Sequence, residues 1–329
     1  MSRTRRTLVQ SAVLLSALSV LPVRAQRALR IVIIPKLVGI AYYDAVKTGI
    51  DAAARELPDI AVTWTGPAQD QVERQVELIE RIVPTRPDLI AVAANDPERI
   101  VPALTKAQRA GIHVMSWDGD CNVREFFVNL VDFEDFGRQL VEEVTREVGT
   151  QGDIAIVTTS FSAPNQTSWI DAMKRTIYAR VPGLRIVDIR PAGESTEEAY
   201  RIAEDYLTSL PSLKGIVALG APNLPGVARA VRDAGRAGKM AVVGNSTPNT
   251  MREFLKDGTV KAVLLWNAPD HGYLTVYSAR QLLTGGLKVG QPFRAGTLGL
   301  FTPRKDAVSM QVALPVLRFT KENVDEFHF

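Results

Sequence analysis

The sequence predicts an α/β protein made of two lobes, each a doubly wound parallel sheet covered by helices, and three observations carry that expectation. From Leu29 onward, short β-branched runs alternate with longer amphipathic stretches, the pattern of a parallel sheet buried on both faces. The alternation completes one set and then restarts. The chain has 329 residues, of which about 300 remain once an export segment is set aside, more than one hydrophobic core usually serves.

Met1–Gln26 is that segment. Arg3, Arg5 and Arg6 precede an uncharged apolar run from Ala12 to Pro22, and Val23-Arg24-Ala25 precedes Gln26. This is the layout of a secretory signal cut after Ala25, residues 1–25 being removed. The run is too short for the roughly 20 residues of a spanning helix. Thr4-Arg5-Arg6-Thr7-Leu8 also resembles the twin-arginine signal that exports folded proteins. No cysteine follows the run to carry a lipid, so a soluble periplasmic protein is expected.

The first lobe opens with a strand over 30–34 and a helix over 42–56. A strand over 60–64 follows, then a helix on which Val72, Val76, Ile79, Ile82 and Val83 share a face. A strand over 89–93, a helix over 97–110 and strands over 113–117 and 126–129 close the set. The second lobe repeats the plan, with a helix over 133–148 and strands over 153–157, 185–189, 215–219, 239–243 and 261–265.

Charge and cysteine content narrow the function. The formal charge of +3 belongs to the signal: removing Arg3, Arg5, Arg6 and Arg24 leaves 35 basic residues against 36 acidic ones. A nearly neutral chain lacks the basic balance that phosphate binding needs, so no nucleic-acid partner is expected. Cys121 is the single cysteine, which excludes an internal disulfide and reads as a packed side chain. His113, His271 and His328 show no metal-ligand spacing, so neither metal nor other cofactor is expected.

In doubly wound sheets ligands bind at the carboxyl ends of the strands. Those positions here carry Lys36, then Tyr42 and Tyr43, after the first strand, and Asp118-Gly119-Asp120 after the fourth. In the second lobe they carry Asn165, Gln166 and Trp169, then Ala221 and Asn223, then Asn245, then Trp266 and Asn267. Acids and amides beside flat rings suit a polyhydroxylated small molecule, whose hydroxyls need partners and whose C–H faces stack. A catalytic reading needs a nucleophile with its base, a metal, or two carboxylates of divergent acidity. Asp118 and Asp120 are the one candidate pair, and binding is preferred to catalysis because no Ser–His, Cys–His or metal set accompanies them. No glycine-rich phosphate loop is present.

Four blocks carry a resemblance: residues 34–39 (Ile-Pro-Lys-Leu-Val-Gly), 116–120 (Ser-Trp-Asp-Gly-Asp), 244–249 (Gly-Asn-Ser-Thr-Pro-Asn) and 265–267 (Leu-Trp-Asn). Through them the chain resembles the type I periplasmic sugar-binding proteins of ABC importers, and within these the autoinducer-2-binding and rhamnose-binding proteins. The resemblance implies Lys36, Asp118, the Asn165-Gln166 pair and backbone at residues 219–221 as ligand contacts. Asn165 stands where the family carries aspartate and Leu219 where it carries proline, which widens the expected ligand to a deoxyhexose or pentose.

It also implies a three-strand hinge crossed near Leu130, Ala268 and Arg294. The first lobe then comprises 26–130 with 268–293, and the second 131–267 with 294–329. Such a protein closes on a sugar or autoinducer-2-like polyol, acts as a monomer, docks on a membrane permease and catalyses nothing itself. A sensory receptor partnering a membrane signalling protein shares the same features, and an exported sugar-modifying enzyme is the other alternative. A repressor core shares the fold but needs a DNA-binding helix pair where this chain has its export signal.

Overall fold

In the computed structural model, residues 27–306 and 309–329 are described, so the export segment lies outside them. The first lobe runs β1 (Leu29–Ile34), α1 (Ala41–Glu56), β2 (Ile60–Trp64), α2 (Val72–Ile82), β3 (Leu89–Val92), α3 (Val101–Arg109), β4 (His113–Trp117) and β5 (Phe126–Asn129). β1 to β5 are all parallel, in the order β2-β1-β3-β4-β5 from one edge.

Strand alternation sends neighbouring side chains to opposite faces, and both faces of β1 are buried. Ile31 and Ile33 join a core with Val46 and Ile50 of α1, whereas Val32 and Ile34 join one with Ile79 of α2 and Leu104 of α3. Burying each such side chain stabilises the lobe by roughly 1.5–3 kcal/mol. Cys121 sits in the second of these cores, donates to the Val123 carbonyl, and has its thiol pushed up to about 12 by burial, so it stays a protonated packing residue.

The second lobe follows as α4 (Phe133–Val148), β6 (Gln151–Thr158), α5 (Pro164–Arg180), β7 (Gly183–Pro191), α6 (Thr196–Ser209), β8 (Leu213–Ala218), α7 (Asn223–Asp233), β9 (Ala241–Gly244), α8 (Pro248–Lys256) and β10 (Ala262–Leu265). Its sheet is parallel, in the order β7-β6-β8-β9. The chain then enters α9 (Ala268–Leu283), which lies along α1 of the first lobe. The contact is close because Gly272 has no Cβ: one placed there would stand 2.0 Å from the Val46 carbonyl oxygen.

The carboxyl-terminal stretch departs from expectation. β11 (Phe293–Ala295) and β12 (Gly299–Phe301) form an antiparallel pair, then β13 (Arg304–Lys305) and β14 (Met310–Ala313) extend the first sheet, β14 pairing parallel with β5. Of these strands, β15 (Leu317–Thr320) is the one that pairs with a second-lobe strand, antiparallel to β10. The last crossing therefore falls after Ala313 and not near Arg294. There Leu314 donates its backbone N–H to the Leu130 carbonyl, 3.3 Å away, binding the last crossing to the first.

Candidate functional site

The carboxyl ends of both sheets face one another across a pocket enclosing about 340 Å³ of non-atom space, open solvent included, at the place where doubly wound sheets bind ligands. The first lobe contributes Lys36 after β1, Tyr42 and Tyr43 of α1, and Asp118 after β4. The second contributes Asn165, Gln166 and Trp169 of α5, Glu194 after β7, Ala221 after β8, Asn245 after β9 and Trp266 after β10.

Asp118 has a φ of 59°, a left-handed conformation that aspartate tolerates better than most residues. Its backbone N–H reaches the Val128 carbonyl at 3.2 Å, and its carboxylate lies 3.7 Å from Lys36 Nζ, both side chains 4% exposed. Gly119 makes room for this pair, since a Cβ there would stand 2.5 Å from the Ala94 carbonyl oxygen and 2.9 Å from Lys36 Cε. Lys36 Nζ also donates to Asn165 Oδ1 at 3.2 Å, a hydrogen bond from one lobe to the other.

The rings form the walls. Tyr42 stands edge-on to Tyr43 and Trp266, and Trp266 neighbours Trp169 with ring centroids 6.1 Å apart. Trp266 Nε1 donates to the Tyr42 hydroxyl at 3.1 Å, while His271 contacts that hydroxyl through Nδ1 at 3.5 Å and the Val128 carbonyl through Nε2 at 3.0 Å. A carbonyl only accepts, so Nε2 carries the proton and Nδ1 accepts from Tyr42. Burial pushes the imidazole down, which keeps it in that neutral form. Burial, and next the Asp118 charge, pushes both tyrosine hydroxyls well up, so they stay protonated.

Gln166 Oε1 accepts from Thr158 Oγ1 at 2.5 Å and from the Thr159 N–H at 2.8 Å, which turns the start of α5 toward the end of β6. Trp169 Nε1 and Asn245 Oδ1 are buried pocket-lining atoms with no hydrogen-bond partner among the described residues. Leaving such atoms unpaired costs about 1–3 kcal/mol each.

Three expected site residues lie elsewhere. Asp120 spends its carboxylate on Ser116 Oγ, the Cys121 N–H and Arg124, which also grips Asp306, so it braces the loop between β4 and β5. That removes the second acid of the catalytic pairing. Asn267 caps α9 by accepting from the Asp270 N–H at 3.1 Å. Asn223 donates to the Gly193 and Ser195 carbonyls at 2.9 and 3.3 Å.

Glu194, between those two carbonyls, lines the pocket and was not among the expected residues. It follows β7, the one strand of the second lobe whose carboxyl end was not read for function, and the strand-end rule would have found it. Burial pushes its carboxyl up to about 8, with Asp70 and Asp118 adding to the shift and Lys36 opposing it. Among the described residues no cluster of metal-ligating side chains occurs, and no helix is long and apolar enough to cross a membrane.

The periplasmic binding protein domain family matches residues 31–287. A D-ribose/D-allose-binding protein of Pseudomonas aeruginosa is 27% identical over 85% of this chain and 92% of its own length. An ABC transporter solute-binding protein of Clostridium phytofermentas, solved with L-rhamnose bound, superposes with a TM-score of 0.86 at 25% identity, covering 91% of this chain and 98% of that one. LsrB of Clostridium saccharobutylicum, solved with AI-2, gives a TM-score of 0.85 at 24% identity over 91% of this chain and all of that one, a likeness of fold.

Proposed function

The chain belongs to the periplasmic binding protein family, and from that premise we propose that it binds an uncharged monosaccharide or similarly small polyol between its lobes and serves as the solute-binding component of an ABC importer. One observation carries the reading: a single pocket draws acids, amides and rings from the strand ends of both lobes, with Lys36 of one already bonded to Asn165 of the other.

Hydroxyl groups supply what this wall calls for. Asp118 accepts, Lys36 donates, and the ring faces of Tyr43 and Trp266 suit the C–H face of a pyranose or furanose. The lining holds one lysine, Lys36, two acidic residues, Asp118 and Glu194, and no arginine. The lysine is engaged by Asp118, so a phosphate or carboxylate on the ligand would face the Asp118 charge with no free cation in the lining, and this favours a neutral guest. Relatives named for D-ribose, D-allose and L-rhamnose support the same chemistry, and relatives named as ABC transporter proteins support delivery to a permease.

The test is a melting experiment on residues 26–329 with L-rhamnose, D-ribose, D-allose, D-fucose and autoinducer-2, beside a sugar phosphate and a uronic acid. A ligand that binds only the folded state raises its stability by about 2.7 kcal/mol at a hundred times Kd. At least one neutral sugar is expected to raise the melting temperature and neither anion to do so. No shift with any neutral member overturns the reading.

A further inference from the structure

We propose that Glu194 is a specificity-determining residue of this pocket, meeting a ligand hydroxyl from the second lobe beside Trp169 and Asn245. The inference rests on the sugar-binding reading and deepens it.

Glu194 sits on a turn that the fold holds from two sides, the end of β6 and the start of α7. Ala192 and Gly193 donate their backbone N–H groups to the Thr158 and Thr159 carbonyls at 2.8 and 2.9 Å, fastening the turn to the end of β6. Asn223, fully buried at the start of α7, bonds the carbonyls on either side of Glu194. A side chain carried on backbone fixed in this way is preorganised, and ligand contacts on such a support cost little ordering.

The remaining polar atoms of the second-lobe wall leave a gap that Glu194 fills. Gln166 Oε1 is spent on Thr158 and Thr159, and Asn165 Oδ1 accepts from Lys36. Glu194 supplies the single carboxyl that the second lobe brings to the lining, and among the described residues that carboxyl makes no hydrogen bond. Trp169 Nε1 and Asn245 Oδ1 lie on the same wall, also without partners. An indole N–H, an amide and a carboxyl on one wall fit adjacent hydroxyls of a sugar ring, each of which both donates and accepts.

Lys36, Asp70 and Asp118 are the charged groups that face Glu194, and the titratable hydroxyls of Tyr42 and Tyr43 face it from α1. With its carboxyl pushed up to about 8, Glu194 is mainly a neutral acid at pH 7 and offers both a donor and an acceptor. Above pH 8 it becomes an acceptor-only anion opposite two other acids, so binding weakens with rising pH.

The experiment measures Kd by calorimetry, from pH 6.5 to 9.5, for the panel sugar that the wild-type chain binds most tightly, and for Glu194→Ala and Glu194→Gln. Glu194→Ala is expected to weaken that sugar about tenfold or more at pH 7 while weakly bound sugars change less. Glu194→Gln, permanently neutral with both donor and acceptor, is expected to stay near wild type at pH 7 and to lose the alkaline decline. Unchanged Kd and ranking in Glu194→Ala, or an alkaline decline that persists in Glu194→Gln, overturns the proposal. If Glu194→Ala does not fold, the pH profile of Glu194→Gln decides alone. A wild-type chain that binds no panel sugar instead fails the sugar-binding reading, and the inference falls with it before any variant is made.

Discussion

At the scale of single residues, the pocket depends on Asp118 being held in an unfavourable backbone conformation beside a buried lysine. A left-handed non-glycine residue costs roughly 1–2 kcal/mol, and the cost is met by the Val128 hydrogen bond and the Lys36 charge. Asp118→Ala is expected to raise Kd for the bound sugar at least tenfold, because charge-assisted hydrogen bonds contribute about 1.5–3 kcal/mol each. Calorimetric titration checks this, and unchanged affinity would remove Asp118 from the site. Glu194 also predicts a stability effect without ligand. Its folded pKa lies above its ordinary value of 4.5, so its protonated form stabilises the fold fully below about pH 4.5, and that contribution is lost as pH rises to about 8. Glu194→Gln is therefore expected to melt higher than wild type at pH 8.5 and no higher at pH 4. Equal melting curves at pH 8.5 would show that the carboxyl is not held out of water. The residues that sequence reading misplaced are of one kind. Asp120, Asn223 and Asn267 occupy the expected strand ends, but the Asp120 carboxylate, the Asn223 amide nitrogen and the Asn267 amide oxygen bond to protein groups outside the pocket lining, and position along a chain does not reveal which way a short side chain turns.

At the scale of elements, most strands and helices were legible because their apolar period is local. Ile60–Trp64, His113–Trp117, Phe126–Asn129 and Phe133–Val148 have the expected bounds. The strands after α9 were not legible. β14 is four residues long with Val312 alone buried, and its partner β5 lies more than 180 residues earlier, so nothing in its own pattern announces which sheet it joins. Helix contact is similarly non-local, and α1 against α9 gives a clear test. Gly272→Leu forces a side chain into the Val46 carbonyl and is expected to destabilise the protein by about 3 kcal/mol, as overpacking of a close contact does. Urea denaturation reads this as a lower midpoint at constant slope, and an unchanged midpoint would mean that the helices are not in such contact.

At the scale of the whole molecule, the two-lobe plan was readable from repetition and length, whereas the pocket needed the fold to bring Lys36 and Asn165 together across 129 residues of sequence. A ligand held by contacts from both lobes, as proposed, would favour a closed arrangement by its affinity difference between closed and open forms. Small-angle scattering of the unliganded chain is expected to show a larger radius of gyration than the sugar-saturated one. Equal radii at saturating sugar would count against ligand-driven closure. The bond from Trp266 to Tyr42 adds something optical. Trp266 ends a second-lobe strand yet is hydrogen-bonded to a first-lobe helix, while Trp169 rides on α5, and their rings lie 6.1 Å apart. The contact that runs from lobe to lobe is the one between Trp266 and Tyr42, so parting the lobes would unpair the Trp266 N–H and draw the edge-on tyrosine ring away from it, and the near-ultraviolet dichroism of that indole would report the separation without any label.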